Sequence, residues 1–218
     1  MNPVGELTIA VPRGALFDET VELLSQLGLD VGELRSNDRR LLFDDIGVIT
    51  MRSSDVPTYV EAGAADLGVT GKDVLLEQAA QHPGEPGRDV YELLDLRYGR
   101  CVMVLASKAG PDPALEALRR LGVMRVATKY PRIAARHFEE TGRQAEIVEV
   151  KGSVEIAPLT GLAEGIVDLT ATGHTLSENG LVVREELATC TARLIANRVA
   201  HKLKARAIDA LLERLSAM

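Results

Sequence analysis

Leu7 to Val11 is a short apolar run, and behind it Leu16, Leu23, Leu24 and Leu27 recur at helical spacing until Gly28. A buried strand followed by an amphipathic helix stopped by glycine is the expected reading. The same alternation continues down the chain. Gly47 to Met51 and Asp66 to Thr70 read as strands on either side of a helix that Asp55 caps, with Pro57 in its first turn and Gly63 at its end. Asp73 to Ala80 continues helically, and Gln81 to Asp89, with Pro83, Gly84, Pro86 and Gly87, reads as a surface loop near a domain crossing. Further strands are predicted at Val90 to Leu96, Cys101 to Ala106, Arg125 to Thr128, Ile147 to Val150 and Ile166 to Ala171. Helices are predicted at Pro113 to Leu121, Arg132 to Glu140 and, in part, Leu162 to Gly165. Gly180 to Glu185 and Thr191 to Arg198 are β-like, and one amphipathic helix runs from about His201 to Leu215. Strands alternating with helices over the whole length predict an α/β fold with parallel sheets covered by helices.

Composition narrows the classes that this fold can serve. With 46% hydrophobic and 26% charged residues in 218, the chain can bury an ordinary core in one large domain or two small ones. A net charge of -7 argues against sequence-independent nucleic-acid binding, which needs a basic surface, so an anionic ligand must be met locally. Met1 to Leu7 does not read as a signal segment, and no apolar run approaches the roughly 20 residues that span a bilayer. A cytoplasmic protein is therefore expected. Cys101 and Cys190 stand apart in apolar runs and are expected as reduced core thiols. No pair of histidines has metal-ligand spacing.

The richest chemistry lies in Glu155 to Leu176, E-I-A-P-L-T-G-L-A-E-G-I-V-D-L-T-A-T-G-H-T-L. It sets Asp168 at a strand end, followed by a small hydroxyl-rich turn that opens a short helix. Such a turn directs backbone N–H groups and the hydroxyls of Thr172 and Thr175 into one cavity, at a helix terminus that carries partial positive charge. Gly173 lets the backbone approach a ligand and take positive φ. The pattern suits a phosphate, with Asp168 nearby to accept hydrogen bonds from vicinal sugar hydroxyls. An equally simple reading of the same residues is a strand end followed by an N-capped helix.

The full segment resembles the signature of the ATP phosphoribosyltransferases. Further stretches resemble that family in the same order: V-P-R-G-A-L-F-D-E-T, D-R-R-L-L-F, the run from Arg52 to Glu77, R-V-A-T-K-Y-P-R-I-A, and G-S-V-E-I-A-P-L-T-G-L-A. The resemblance implies transfer of the 5-phosphoribosyl group from phosphoribosyl pyrophosphate (PRPP) to N1 of ATP, which opens histidine biosynthesis. It implies that Asp168 holds the ribose hydroxyls and that Thr170, Ala171, Thr172, Gly173, His174 and Thr175 form the loop around the 5'-phosphate. Arg39, and with it Arg13, is expected at the pyrophosphate leaving group. Ala15 stands where the family commonly has an arginine, and Arg13 or Arg40 is the expected replacement. Another type of phosphoribosyltransferase places two adjacent acidic residues before its Thr-Gly turn, whereas Val167 precedes Asp168 here.

By the same resemblance the fold is two lobes with mainly parallel sheets and a central cleft, similar to type II periplasmic binding proteins. The lobes are expected as 1–92 plus 178–218 and 93–177. A solute-binding module is thus the rival of a different class. The ATP side is assigned to Arg52, Asp66, Leu67, Gly68, Gly71 and Glu155, the middle four because open α/β sheets bind ligands at strand ends. A local ion pair with Asp55 is the alternative for Arg52, and a helix cap the alternative for Glu155. Lys129 precedes Pro131 at a strand-to-helix junction, where a lysine meets a phosphate or stays solvated. Adenine N1 already has a lone pair, so catalysis is expected from positioning and electrostatics. Mg2+ is expected through substrate phosphate oxygens and water, with no ligand from the protein. The chain resembles the short form of the family, which implies self-association and a regulatory subunit similar to the catalytic core of histidyl-tRNA synthetase.

Overall fold

The computed structural model describes residues 5–79 and 89–217; the loop expected from Gln81 lies, except for Asp89, outside the described residues. The chain divides into two compact units. The first takes the described residues up to Leu75, from Asp89 to Gly99 and from Thr191 on; the second takes Leu76 to Ala79 and Arg100 to Cys190.

In the first unit, β1 (Ile9–Arg13) lies between β3 (Val48–Arg52) and β4 (Leu67–Gly71), parallel to both. Both faces of β1 are covered, so its residues are apolar without alternation: Ile9 and Val11 point to one core and Ala10 to another. The first core is closed by α1 (Phe17–Gln26), α2 (Gly32–Ser36) and α10 (Ala205–Ser216), through Leu24, Leu34 and Ile208 among others. The second is closed by α3 (Val56–Glu61), through Val56 and Val60. The sheet is completed by β2 (Leu42–Phe43), β11 (Ala192–Asn197) and β5 (Val90–Asp95), each antiparallel to its neighbour. The helix α9 (Arg198–Leu203) is capped by the Asn197 side chain.

Gly68 explains how closely α3 packs on this sheet. A Cβ at that position would stand 2.5 Å from Val56 Cγ1 and 2.7 Å from Val60 Cγ2. Gly68→Ala is expected to destabilise the protein by about 1–3 kcal/mol through overpacking. Urea unfolding with an unchanged midpoint would show that α3 yields freely.

The second unit is built on the sheet order β10-β6-β9-β7-β8. Here β9 (Gly165–Thr170) and β7 (Met124–Thr128) are parallel, as are β7 and β8 (Ala145–Glu149). The strands β6 (Cys101–Lys108) and β10 (Leu181–Cys190) pair antiparallel to each other, and β6 is also antiparallel to β9. One face packs under α5 (Pro113–Leu121) and α6 (Pro131–Glu140), through Val126, Val167, Ile133 and Phe138. The other packs under α7 (Ile156–Thr160) and α8 (His174–Glu178), through Val104, Ile166, Ala157 and Leu176. The helix α4 (Lys72–Ala79) ends in this unit, where the Glu77 carboxylate accepts the N–H groups of Arg132 (3.0 Å) and Ile133 (2.9 Å) at the start of α6. Burial pushes the Glu77 carboxyl above its usual range, against those two hydrogen bonds.

Several expectations are corrected. The sheets are mixed: β2, β11 and β5 run antiparallel to their neighbours in the first, and β6 is antiparallel to both of its neighbours in the second. Residues 178–190 were expected in the first lobe and 93–99 in the second. Instead β10 zips along β6, and the stretch up to Gly99 stays with the first unit. The helix expected at Leu162 to Gly165 forms earlier, as α7, and the final helix is two, broken at Lys204. Cys101 and Cys190 face each other in register on β6 and β10; Cys190 is buried and Cys101 half-buried.

Candidate functional site

Asp168 does not end its strand. It lies inside β9 on the face shared with Ile166 and covered by α7 and α8, and it is 6% exposed. Its Oδ1 accepts the Leu169 N–H at 2.8 Å and pairs with Lys129 Nζ at 3.2 Å. Burial raises the Asp168 carboxyl above its ordinary value, and the Lys129 charge opposes that rise while Glu155 adds to it. The carboxylate is thus scarce in solvent but not in charge compensation, a suitable state for accepting two hydroxyl hydrogen bonds.

Beyond Asp168 the chain turns sharply. Thr170 Oγ1 accepts the Gly173 N–H at 2.9 Å, and Thr172 Oγ1 accepts the His174 N–H at 3.4 Å. Gly173 sits at φ 75°, in the left-handed region that glycine enters at little cost, and is the N-cap of α8. Ala171, Thr172, His174 and Thr175 are exposed. Within α8, Ser177 Oγ donates to the His174 carbonyl and the Asn179 side chain to that of Thr175, so the short helix is fixed locally. The structure therefore brings Asp168 and the whole of Thr170 to Thr175 together, with the carboxylate buried and the turn open. Glu155 occupies the N-cap position of α7 but makes no capping hydrogen bond, and Ser153 takes φ 47° two residues earlier.

The other expected residues lie in the first unit. Arg13 and Arg52 are register partners at the C-terminal ends of β1 and β3, and Gly71 ends β4. Asp66, Leu67 and Gly68 are instead at the N-terminal end of β4, so the expectation that all four residues share one strand end is corrected. Asp66 Oδ2 accepts the Thr8 N–H and pairs with Lys204 Nζ, both at 2.8 Å; Leu67 and Gly68 are buried. Asp55 accepts from Ser54 Oγ, while Arg52 is exposed. Around Gly71, Ser53 Oγ accepts the Gly71 N–H at 3.4 Å, and Thr70 Oγ1 donates to the Ser53 carbonyl at 2.9 Å.

Arg13 is more committed than expected. One guanidinium nitrogen, Nη2, donates to the carbonyls of Asn37 and Arg40, both at 3.2 Å, and the group lies 4.4 Å from the Phe17 ring centre. Asn37 Oδ1 also accepts the N–H groups of Arg39 and Arg40. These bonds pin the turn that presents Arg39, whose side chain is exposed and pairs with no carboxylate among the described residues. Arg40, by contrast, is held by Glu33 at 2.5 Å, by Asp45 at 3.4 Å and by the Leu42 carbonyl. It is poorly placed to substitute for an arginine at Ala15. The pairing of Lys129 with Asp168 was not read from sequence; only the register of β7 and β9 reveals it.

Comparison with known proteins bears on this constellation. The family model described as ATP phosphoribosyltransferase matches residues 52–217. ATP phosphoribosyltransferase of Rubrobacter xylanophilus is 53% identical over 209 residues, covering 94% of this chain and 93% of that protein. The protein of the same name from Symbiobacterium thermophilum is 47% identical over 220 residues, covering 99% and 94%. Among solved structures, the ATP phosphoribosyl transferase (HisG:HisZ) complex from Thermotoga maritima aligns with TM-score 0.78 and 32% identity over 97% of both chains. The periplasmic aliphatic sulphonate binding protein SsuA from Escherichia coli aligns with TM-score 0.61 over 97% of this chain and 71% of its own, at 16% identity, a likeness of fold alone.

Proposed function

The chain belongs to the ATP phosphoribosyltransferase family, and from that premise we propose that Asp168 and the Thr170 to Thr175 turn are where it holds PRPP. The reaction joins PRPP and ATP into phosphoribosyl-ATP, releasing pyrophosphate, as the first step of histidine biosynthesis. The observation that carries the site assignment is the buried carboxylate, 6% exposed, standing directly before an exposed hydroxyl-lined turn. Asp168 accepts the 2'- and 3'-hydroxyl protons, and the turn from Thr170 to Thr175 surrounds the 5'-phosphate. Adenine N1 attacks C1 of the ribose as the bond to pyrophosphate breaks. Positive charge grows on the sugar and negative charge on the leaving group, which Arg39 neutralises. Arg13 acts through the turn it ties to Arg39. Arg52, Gly71 and Glu155 remain the assignment for the ATP side. Asp66 and Gly68 serve the fold.

The reaction uses a divalent metal. The ion we assign is Mg2+, held through pyrophosphate oxygens and water. That ion supplies charge neutralisation on the leaving group.

The solved relative from Thermotoga maritima is a HisG:HisZ complex, and a regulatory subunit is the partner we assign to this chain. We assign it a likeness to the histidyl-tRNA synthetase core, and expect the chain to self-associate. No helix among the described residues is long and apolar enough to cross a membrane, and the cytoplasm is the proposed compartment.

The test is pyrophosphate release. It is expected only when PRPP, ATP and Mg2+ are all present, and most clearly with the regulatory subunit added. Release from PRPP that is indifferent to ATP would overturn the assignment, as would tight PRPP binding with no turnover in the complete mixture.

A further inference from the structure

Strands β7 and β9 run parallel in the register Val126 to Gly165, Ala127 to Ile166 and Thr128 to Val167. The next residue of each is therefore carried to the same place: Lys129 beside Asp168. Thr128 Oγ1 accepts the Tyr130 N–H at 2.8 Å, turning the chain just before Pro131 opens α6. The Tyr130 ring, 8% exposed, lies 5.4 Å from Lys129 Nζ. Lys129 is itself 41% exposed at its side chain, whereas that of Asp168 is only 9% exposed.

We infer that Lys129 is a positioning residue for the reaction: its ammonium keeps the Asp168 carboxylate ionised and oriented before the ribose hydroxyls arrive. The inference rests on the reading of Asp168 as the acceptor of the ribose diol. A diol offers two donors, and the ionised carboxylate, which only accepts, meets both, whereas protonation turns one of its oxygens into a donor. Both fixed contacts to Asp168, from Leu169 N–H and from Lys129, fall on Oδ1. Of the elements packed on its face, α8 carries His174 and Glu178. Lys129 comes from the β7 end, and Glu155 from α7 works against it. On β6 the register partner is Val104, and the charged Lys108 is four positions further along that strand. Without Lys129, only the Leu169 N–H remains against burial and Glu155, and Asp168 takes up a proton at higher pH.

The test compares kcat/KM for PRPP across the acid and neutral range in the complex with the regulatory subunit. Wild type, Lys129→Met, Lys129→Arg and Asp168→Asn are measured side by side. The substrate's own titrations are common to all four and cancel. Lys129→Met is expected to move the acid limb up by about one pH unit or more. KM for PRPP should rise most at low pH, while kcat at saturating PRPP changes little. Lys129→Arg should return the limb toward wild type, since it restores the charge. A rise in KM that is the same at every pH would make Lys129 a direct ligand of PRPP and overturn the inference, and so would an unchanged profile. If Asp168→Asn leaves KM for PRPP unaltered, the diol reading itself fails, whatever Lys129 does. Because the Lys129 side chain is exposed, loss of folding is not expected in Lys129→Met; a lowered melting temperature shared by Lys129→Arg would mark a packing role instead.

Discussion

Asp168→Ala is expected to weaken PRPP binding about a hundredfold or more. Hydrogen bonds to a charged acceptor contribute about 1.5–3 kcal/mol each, and two of them to one sugar amount to at least about 3 kcal/mol, or two decades in affinity. The loss should appear in KM for PRPP and in direct calorimetric titration, with KM for ATP much less affected. Folding should survive the change. The carboxylate is buried at a desolvation cost, which its removal relieves, and its partner Lys129 is exposed enough to be hydrated when left alone. A threefold change or less in PRPP affinity, with the protein still folded, would remove Asp168 from the sugar site. Asp168→Asn separates charge from shape: the amide keeps one carbonyl acceptor but brings a donor toward a hydroxyl, so its defect should lie close to that of alanine.

How much of this could be read from the chain differs by level. The buried parallel strands were legible because Leu7 to Val11, Gly47 to Met51 and Arg125 to Thr128 are short stretches rich in β-branched and small apolar residues, and each forms within two residues of its expected place. The turn after Asp168 was legible for a chemical reason, since Thr-Gly-His-Thr can do little but bend, and Gly173 does take φ 75°. The edge strand β10 was harder. Its ladder shifts between Val183 and Glu185 and again between Glu186 and Ala188, so the alternation that announces a strand is interrupted twice, and only its first half was visible. Pro158 sits in the first turn of α7, where a missing N–H costs nothing. The final helix divides at Lys204, whose ammonium reaches the Glu6 carbonyl and Asp66, contacts nearly two hundred residues apart for the first of them. Contacts of that kind have no local signature. The same holds at the site: Lys129 could be marked as a lysine at a strand-to-helix junction, but its pairing with Asp168 could not, because adjacency across β7 and β9 is a property of register and not of spacing.

Arg39→Ala is expected to lower kcat by about a hundredfold or more while leaving KM for PRPP within a few-fold, the pattern of a donor that matters most in the transition state. The structure distinguishes it sharply from its neighbour. Arg40 shares its charge with Glu33 and Asp45, whereas Arg39 is exposed and pairs with no carboxylate among the described residues. A cation in that state keeps its attraction for a leaving pyrophosphate, while one already paired must first surrender a partner. Arg40→Ala should therefore cost far less in kcat and serve as the control for charge loss in the same turn. Arg13 makes a second contrast. Its Nη2 holds the carbonyls of Asn37 and Arg40 while its plane lies against Phe17, so Arg13→Lys, whose ammonium ends one bond short and has no plane to stack, should reduce kcat through misplacement of Arg39. Combined with Arg39→Ala, Arg13→Lys should then add little, because the residue it positions is already gone. Additive losses would mean that Arg13 meets the substrate on its own account, and normal turnover of Arg39→Ala at saturating PRPP would mean that the developing charge on pyrophosphate is met by other groups.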